Sequence, residues 1–161
     1  MTLQRLFLTG ILLTTVISLS TATCPYNQTD GQKSNGQIIP MNNELFIQQI
    51  FDYSSEQIWK FKGNKPVVID FYATWCGPCR QVAPLLKELA KEYKDRITIY
   101  KVDTDEEQQL TAAMGIRSLP TIVFIPVKGQ PQLIVGAADK VTLKKAIEEV
   151  LLQPSVSLEN N

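Results

Sequence analysis

The chain has 161 residues, which suffices for one domain of ordinary size with a single hydrophobic core. Sixteen Lys and Arg residues balance sixteen Asp and Glu residues, so charge gives no reason to expect binding to nucleic acid. The sequence has no histidine, which excludes Ser-His-Asp and Cys-His mechanisms and His-ligated metals. With only three cysteines, a tetrahedral zinc site also lacks its usual ligands.

Residues 1–22 have the pattern of a secretory signal peptide. Arg5 supplies the positive charge, residues 6–19 form the apolar core, and Ser20-Thr21-Ala22 resembles a cleavage site. A retained membrane anchor is the alternative, although the apolar stretch is short for a bilayer span. Cys24 follows a poor match to a lipoprotein signal, so we expect an unpaired thiol there. The folded domain is thus expected outside the cytoplasm, in the periplasm, where disulfides persist.

The segment after the leader is polar and then becomes amphipathic. Residues 23–39 contain almost nothing to bury, which predicts a flexible lead-in, although residues 37–41 are compatible with an edge strand. Two weaker patterns, at residues 43–51 and 55–61, indicate helices.

A strand, a helix and a second strand are then predicted in succession. Residues 67–72 are β-branched and aromatic, as expected of a strand buried on both faces. Apolar residues recur at spacings of three and four between Val82 and Tyr93, which predicts an amphipathic helix. Residues 97–102 form another β-branched run. This order and spacing indicate a βαβ unit with parallel strands.

The remaining elements complete an α/β domain with a central mixed sheet and helices on both faces. The domain is expected to span residues 40–153, with a flexible tail at residues 154–161. The predicted segments are a helix at 106–114, hairpin strands at 121–125 and 132–135, and a closing helix at 143–151.

Cys76 and Cys79 lie between the first central strand and the long helix. The unpaired N–H groups and positive end of a helix stabilise a thiolate at this position. A Cys-x-x-Cys spacing on the first turn brings the two side chains close enough for a disulfide. A purely structural disulfide across so short a loop would constrain the unfolded chain little. The spacing therefore indicates redox chemistry.

Several separated motifs resemble those of the thioredoxin family over residues 42–152. The run Phe71–Arg80, which includes Trp75-Cys76-Gly77-Pro78-Cys79, is similar to the active-site run of the family, and residues 115–121 are similar to its cis-proline loop. The resemblance implies the thioredoxin fold and protein-disulfide reductase activity. It also implies no cofactor other than a redox-active Cys76–Cys79 disulfide.

The resemblance also assigns individual roles. Cys76, expected to be the more exposed cysteine, attacks the substrate, and Cys79 resolves the intermediate with help from Asp70. Burial should raise the pKa of Asp70, and Lys101 matches the lysine beside that aspartate in the family. The residues expected to bind substrate are Trp75, Gly77, Pro78, Leu119, Pro120 in the cis form, and Gly136.

The direction of electron flow and the partners of the protein follow less directly from the sequence than the reacting residues do. The Gly77-Pro78 pair and the lack of histidine favour a reductase over a disulfide-forming oxidase. We expect a monomer that acts on protein disulfides and takes electrons from a membrane thiol donor. A reductase for cytochrome c maturation is an alternative, but the spacing from Cys79 to Pro120 leaves no room for the insertion often found there. A binding module without enzymatic activity is disfavoured because the motif set is intact.

Overall fold

The computed structural model describes residues 35–153. The predictions for the leader, for Cys24, for most of the lead-in and for the tail therefore lie outside the described residues. No helix within residues 35–153 is long and apolar enough to cross a membrane. The strands are β1 (Ile38–Pro40), β2 (Val67–Tyr72), β3 (Thr98–Asp103), β4 (Thr121–Ile125) and β5 (Gln132–Val135). The helices are α1 (Asn43–Gln49), α2 (Gly77–Glu92), α3 (Gln108–Ala113) and α4 (Lys140–Ala146), the last continued by a π-helical turn at Ile147–Leu151.

The five strands form one mixed sheet in the order β1-β3-β2-β4-β5. Strands β1, β3 and β2 are parallel, whereas β4 runs antiparallel to both β2 and β5. The predicted βαβ unit and the predicted hairpin are both confirmed. The central strand of the sheet, β2, lies between β3 and β4, and all of its residues except the last are buried.

Side chains alternate across the sheet, so each face has its own hydrophobic core. Val68 faces the cluster built with α2 and the C-terminal helix. Val67 and Ile69 face the opposite cluster, which includes Phe46 of α1 and Leu110 of α3. Helices thus cover both faces, as predicted. The same alternation places Asp70 on the α2 side of the sheet.

The N-terminal boundary of the folded part differs from the prediction. Strand β1 begins at Ile38, inside the stretch 23–39 predicted as a flexible lead-in, and Ile38 pairs with Ile99 of β3. Ile38 and Ile39 pack on opposite cores, so these two residues have apolar surface to bury after all. The domain therefore starts before residue 40, and the alternative of an edge strand at residues 37–41 is confirmed.

The predicted helix at residues 55–61 is wrong. This segment between α1 and β2 is irregular, with a turn that ends at Ser55 and a bend at residues 57–58. Its aromatic side chains pack on the core on the α1 side of the sheet. Trp59 packs on Phe51 with a ring-centroid distance of 4.8 Å, and Phe61 contacts the same core. Ile58 is left exposed. Residues two apart do not share a face of a helix, so a regular helix would not direct Trp59 and Phe61 to the same cluster. Tertiary packing here overrides the local pattern.

Candidate active site

The two cysteines lie where β2 leads into α2. Cys76 is the N-cap residue of this helix, and its Sγ accepts a hydrogen bond from the backbone N–H of Cys79 at 3.2 Å. Pro78 occupies the first helical turn, where the missing N–H costs no helical hydrogen bond. Cys76 and Cys79 form a disulfide with a Cα–Cα distance of 5.4 Å. The structure is thus that of the oxidised form of the cysteine pair.

Exposure does not distinguish the two cysteines in this state. Cys76 is 3% exposed and Cys79 is 4% exposed, so the expectation of a more exposed Cys76 is wrong for the oxidised form. The bonded sulfurs cover one another, and Ala73 and Leu119 pack against them. The surroundings of the two residues do differ. Cys76 lines a groove of about 450 Å³, whereas Cys79 lines a separate cavity of about 500 Å³.

Asp70 lies in the cavity of Cys79, as the alternation along β2 requires. Its side chain is 5% exposed, and Oδ1 has no hydrogen-bond partner among the described residues. Burial disfavours the charged carboxylate and raises its pKa to about 7, while the nearby positive charge of Lys101 acts in the opposite direction. Asp70 is therefore suited to exchange a proton near neutral pH.

Lys101 lies opposite Asp70 in the β2–β3 register and also lines the cavity. Its ammonium group lies 5.5 Å from the ring centroid of Tyr72. Within residues 35–153 Lys101 forms no ion pair. The lysine therefore acts on Asp70 through its positive charge without forming a salt bridge to it.

The groove of Cys76 contains most of the residues predicted to bind substrate. Trp75, Gly77, Pro78 and Leu119 all line it. Trp75 is 68% exposed, which is unusual for an aromatic residue and fits a contact surface.

The other two predicted substrate residues lie beside this groove. The Leu119–Pro120 peptide bond is cis, as the resemblance implies. Gly136 has a φ of +91°, a conformation that L side chains rarely adopt, and its N–H donates a hydrogen bond to the Pro120 carbonyl at 2.7 Å. This bond ties the end of the β4–β5 hairpin to the cis-proline loop.

Two further residues around the groove, Asp105 and Arg117, are not among the site residues predicted from the sequence. Asp105 accepts a hydrogen bond from Trp75 Nε1 at 2.8 Å and so orients the exposed indole. Arg117 is an exposed cation on the groove wall. The signal for Asp105 was available, because β2 and β3 are parallel and the residues that follow them meet at one edge of the sheet.

A cysteine pair at a helix N-terminus, a buried acid behind it and an apolar groove in front of it define a thiol–disulfide oxidoreductase. Within residues 35–153 no group of three or more His, Cys, Asp or Glu residues is placed to hold a metal ion. The thioredoxin family model matches residues 48–149. The chain belongs to the thioredoxin family, and it is a protein-disulfide oxidoreductase.

Similar proteins agree with this assignment. The chain is 44% identical to the thioredoxin of Borreliella burgdorferi over 111 residues, which cover 69% of this chain and 95% of that protein. It is 44% identical to the chloroplastic M-type thioredoxin of Pisum sativum over 65% of this chain and 60% of that one. The crystal structure of Malassezia sympodialis thioredoxin matches with a TM-score of 0.57 at 36% identity, covering 70% of this chain and 89% of that one.

Proposed function

We propose that this protein is an exported thioredoxin that reduces disulfides of proteins outside the cytoplasm. The observation that carries the proposal is the Gly77-Pro78 pair between the cysteines of an otherwise complete thioredoxin site, in a chain without histidine. A histidine between such cysteines stabilises the reduced thiolate and makes the disulfide more oxidising. Its absence favours electron transfer from the protein to the substrate.

The first step is attack of the Cys76 thiolate on one sulfur of a substrate disulfide. The N–H of Cys79 and the positive end of α2 stabilise the thiolate. A new bond forms between Cys76 Sγ and that sulfur, and the second substrate sulfur leaves as a thiolate. The exposed Trp75 and the apolar groove supply a surface against which the substrate chain can lie.

The second step is attack by Cys79 on the mixed disulfide. Asp70, in the same cavity as Cys79, accepts the thiol proton as the sulfur becomes nucleophilic. The Cys79 thiolate attacks Cys76 Sγ, and the remaining substrate sulfur leaves as a thiolate. Two electrons pass to the substrate, and the Cys76–Cys79 disulfide seen in the structure forms.

The direction of electron flow is tested by the reduction potential of the Cys76/Cys79 couple. We expect a value of about −270 mV, as is typical of thioredoxins, because the Gly77-Pro78 pair adds no charge that stabilises the thiolate. The measurement is equilibration of the full chain with a series of dithiothreitol ratios, followed by thiol trapping. A potential of about −120 mV, typical of strong disulfide-forming oxidases, would contradict the reductase proposal.

The compartment is a second part of the proposal and is supported by the signal-like residues 1–22. An exported monomer would be reduced by a membrane thiol donor, since soluble NADPH is lacking there. Fractionation of cells that produce the full chain should place the folded domain outside the cytoplasm, whether the leader is cleaved or retained as an anchor. Deletion of residues 2–19 should leave the domain in the cytoplasm. Cytoplasmic location of the full chain would contradict this part.

A further inference from the structure

The cavity that contains Cys79 is separate from the substrate groove of Cys76. It lies between the face of α2 that begins at Arg80 and the segment Gly36–Ile38 that leads into β1. Its volume of about 500 Å³ is within the range of small-molecule sites. Gly36 is buried, and a Cβ on it would lie 3.2 Å from Cα of Lys91. The backbone therefore packs directly on α2 at this side of the cavity.

Four cationic side chains line this cavity, together with one acidic side chain, that of Asp70. Arg80, Lys87 and Lys91 come from α2, with the two lysines four residues apart on one face of the helix, and Lys101 comes from β3. None of the four forms an ion pair with a carboxylate of the described residues. By contrast, Glu88 and Glu92 on another face of the same helix are both paired with lysines of α4. The three cations of α2 on this face are thus left without a paired carboxylate, and Asp70 is the one acid among the described residues that line the cavity.

The interior of the cavity combines apolar walls with one unpartnered polar atom. Ile38 and Ala83 contribute apolar surface, and Ala73 and Cys79 lie at the inner end. Asp70 Oδ1 is buried without a hydrogen-bond partner within residues 35–153. Buried polar atoms are normally hydrogen-bonded, so such an atom at the end of a cavity marks a place for a ligand group or water.

We propose that this cavity binds a small organic anion, with its carboxylate or phosphate group held at Lys87 and Lys91 and its apolar body between Ile38 and Ala83. The volume fits a small molecule, and the unpaired cations select an anion. A neutral ligand of the same shape would keep only the apolar contacts. The proposal does not depend on the direction in which the enzyme transfers electrons, because it concerns the oxidised state shown here.

The test uses phenylpropionate and its neutral amide, phenylpropanamide, titrated into the oxidised full chain labelled with nitrogen-15. We expect chemical-shift changes at the amides of Gly36, Ala83 and Lys87, with tighter binding of the anion. The double variant Lys87→Gln/Lys91→Gln should bind phenylpropionate roughly fivefold to thirtyfold more weakly, since each exposed charge contributes about 0.5–1 kcal/mol. Ala83→Leu should weaken binding of both compounds, because the larger side chain takes the space between Ile38 and residue 83 that is proposed for their apolar body.

The matched control is the double variant Lys60→Gln/Lys128→Gln, which removes the same charge from exposed lysines outside the cavity. It should bind phenylpropionate as the wild type does. Equal binding of the acid and the amide, an equal loss in the control, or unchanged binding by Ala83→Leu would overturn the proposal. Shift changes confined to Gly77 and Ser118 would place the compound in the substrate groove and would overturn it as well. Insulin reduction by the variants reports separately on the proposed function.

Discussion

Replacing Cys76 by serine should reduce the rate of insulin disulfide reduction to that without enzyme. The serine hydroxyl is not ionised near neutral pH, so the helix N-terminus has no thiolate to stabilise and no mixed disulfide forms. The measurement is insulin precipitation with dithiothreitol as the electron donor. Turnover by Cys76→Ser equal to that of the wild type would show that the Cys76–Cys79 pair is not the reactive group.

Cys79→Ser should fail in a different way. Cys76 keeps its position as N-cap and its nucleophilic sulfur, so the first attack still occurs, but no second sulfur is available to release the product. The variant should accumulate mixed disulfides that are visible on non-reducing gels and disappear with reductant.

The third cysteine supplies the matched control. Cys24 lies outside the Cys-x-x-Cys pair, and Cys24→Ser should retain wild-type turnover. Recovery of mixed disulfides from Cys24→Ser but not from Cys79→Ser would contradict the assigned roles.

Most of the sheet was predictable because its strands carry a strong local signal. Strands β2 and β4 are buried runs of β-branched and aromatic residues, interrupted only by Asp70 in β2. The hairpin turn between β4 and β5 carries glycine and proline. The long periodic stripe of α2 was equally clear. These patterns predicted the order of elements and the mixed sheet without any knowledge of tertiary contacts.

The structure departs from the sequence-based predictions where tertiary packing outweighs the local sequence pattern. Residues 55–61 take an irregular path along which Trp59 and Phe61 both pack on the α1-side core. The π-helical turn at Ile147–Leu151 has no signal in the sequence, since Ile147 and Leu151 also suit an ordinary α-helix. Both features depend on the shape of a core that only the folded chain has.

The active site was predictable in its reacting groups and less so in its surroundings. Alternation along β2 is sufficient to place Asp70 under α2, and the motif places the cysteines at the helix N-terminus. The cavity between α2 and Gly36–Ile38 was not foreseen, because its walls come from segments far apart in the chain. Neither the spacing of Lys87 and Lys91 nor the composition indicates that they face a cavity.

Replacing Asp70 by asparagine should stabilise the oxidised protein near pH 8 and leave its stability almost unchanged near pH 4. The pKa of Asp70 is raised by burial from its usual 3.8 to about 7. The folded state therefore binds more protons than the unfolded state between these values, and the free energy of unfolding falls as the pH rises through that window. The ionised carboxylate costs at most about 4 kcal/mol above it, and an uncharged asparagine of similar size avoids this cost.

The measurement is urea denaturation of the wild type and of Asp70→Asn at both pH values. Asp95→Asn is the matched control, because Asp95 is exposed and its replacement should alter stability little at either pH. A gain for Asp70→Asn that is equal at both pH values would contradict the linkage, since it would arise from packing and not from ionisation.

A residue that destabilises the fold at neutral pH needs a functional reason to be there, and proton transfer from Cys79 supplies one. Asp70→Asn should therefore be more stable but slower, with the loss confined to release of the mixed disulfide and smallest well above pH 7, where more Cys79 thiolate forms unaided. Single-turnover experiments that follow the mixed disulfide separate this step from the first attack by Cys76. If the variant releases product as fast as the wild type, Asp70 is not the proton acceptor for Cys79.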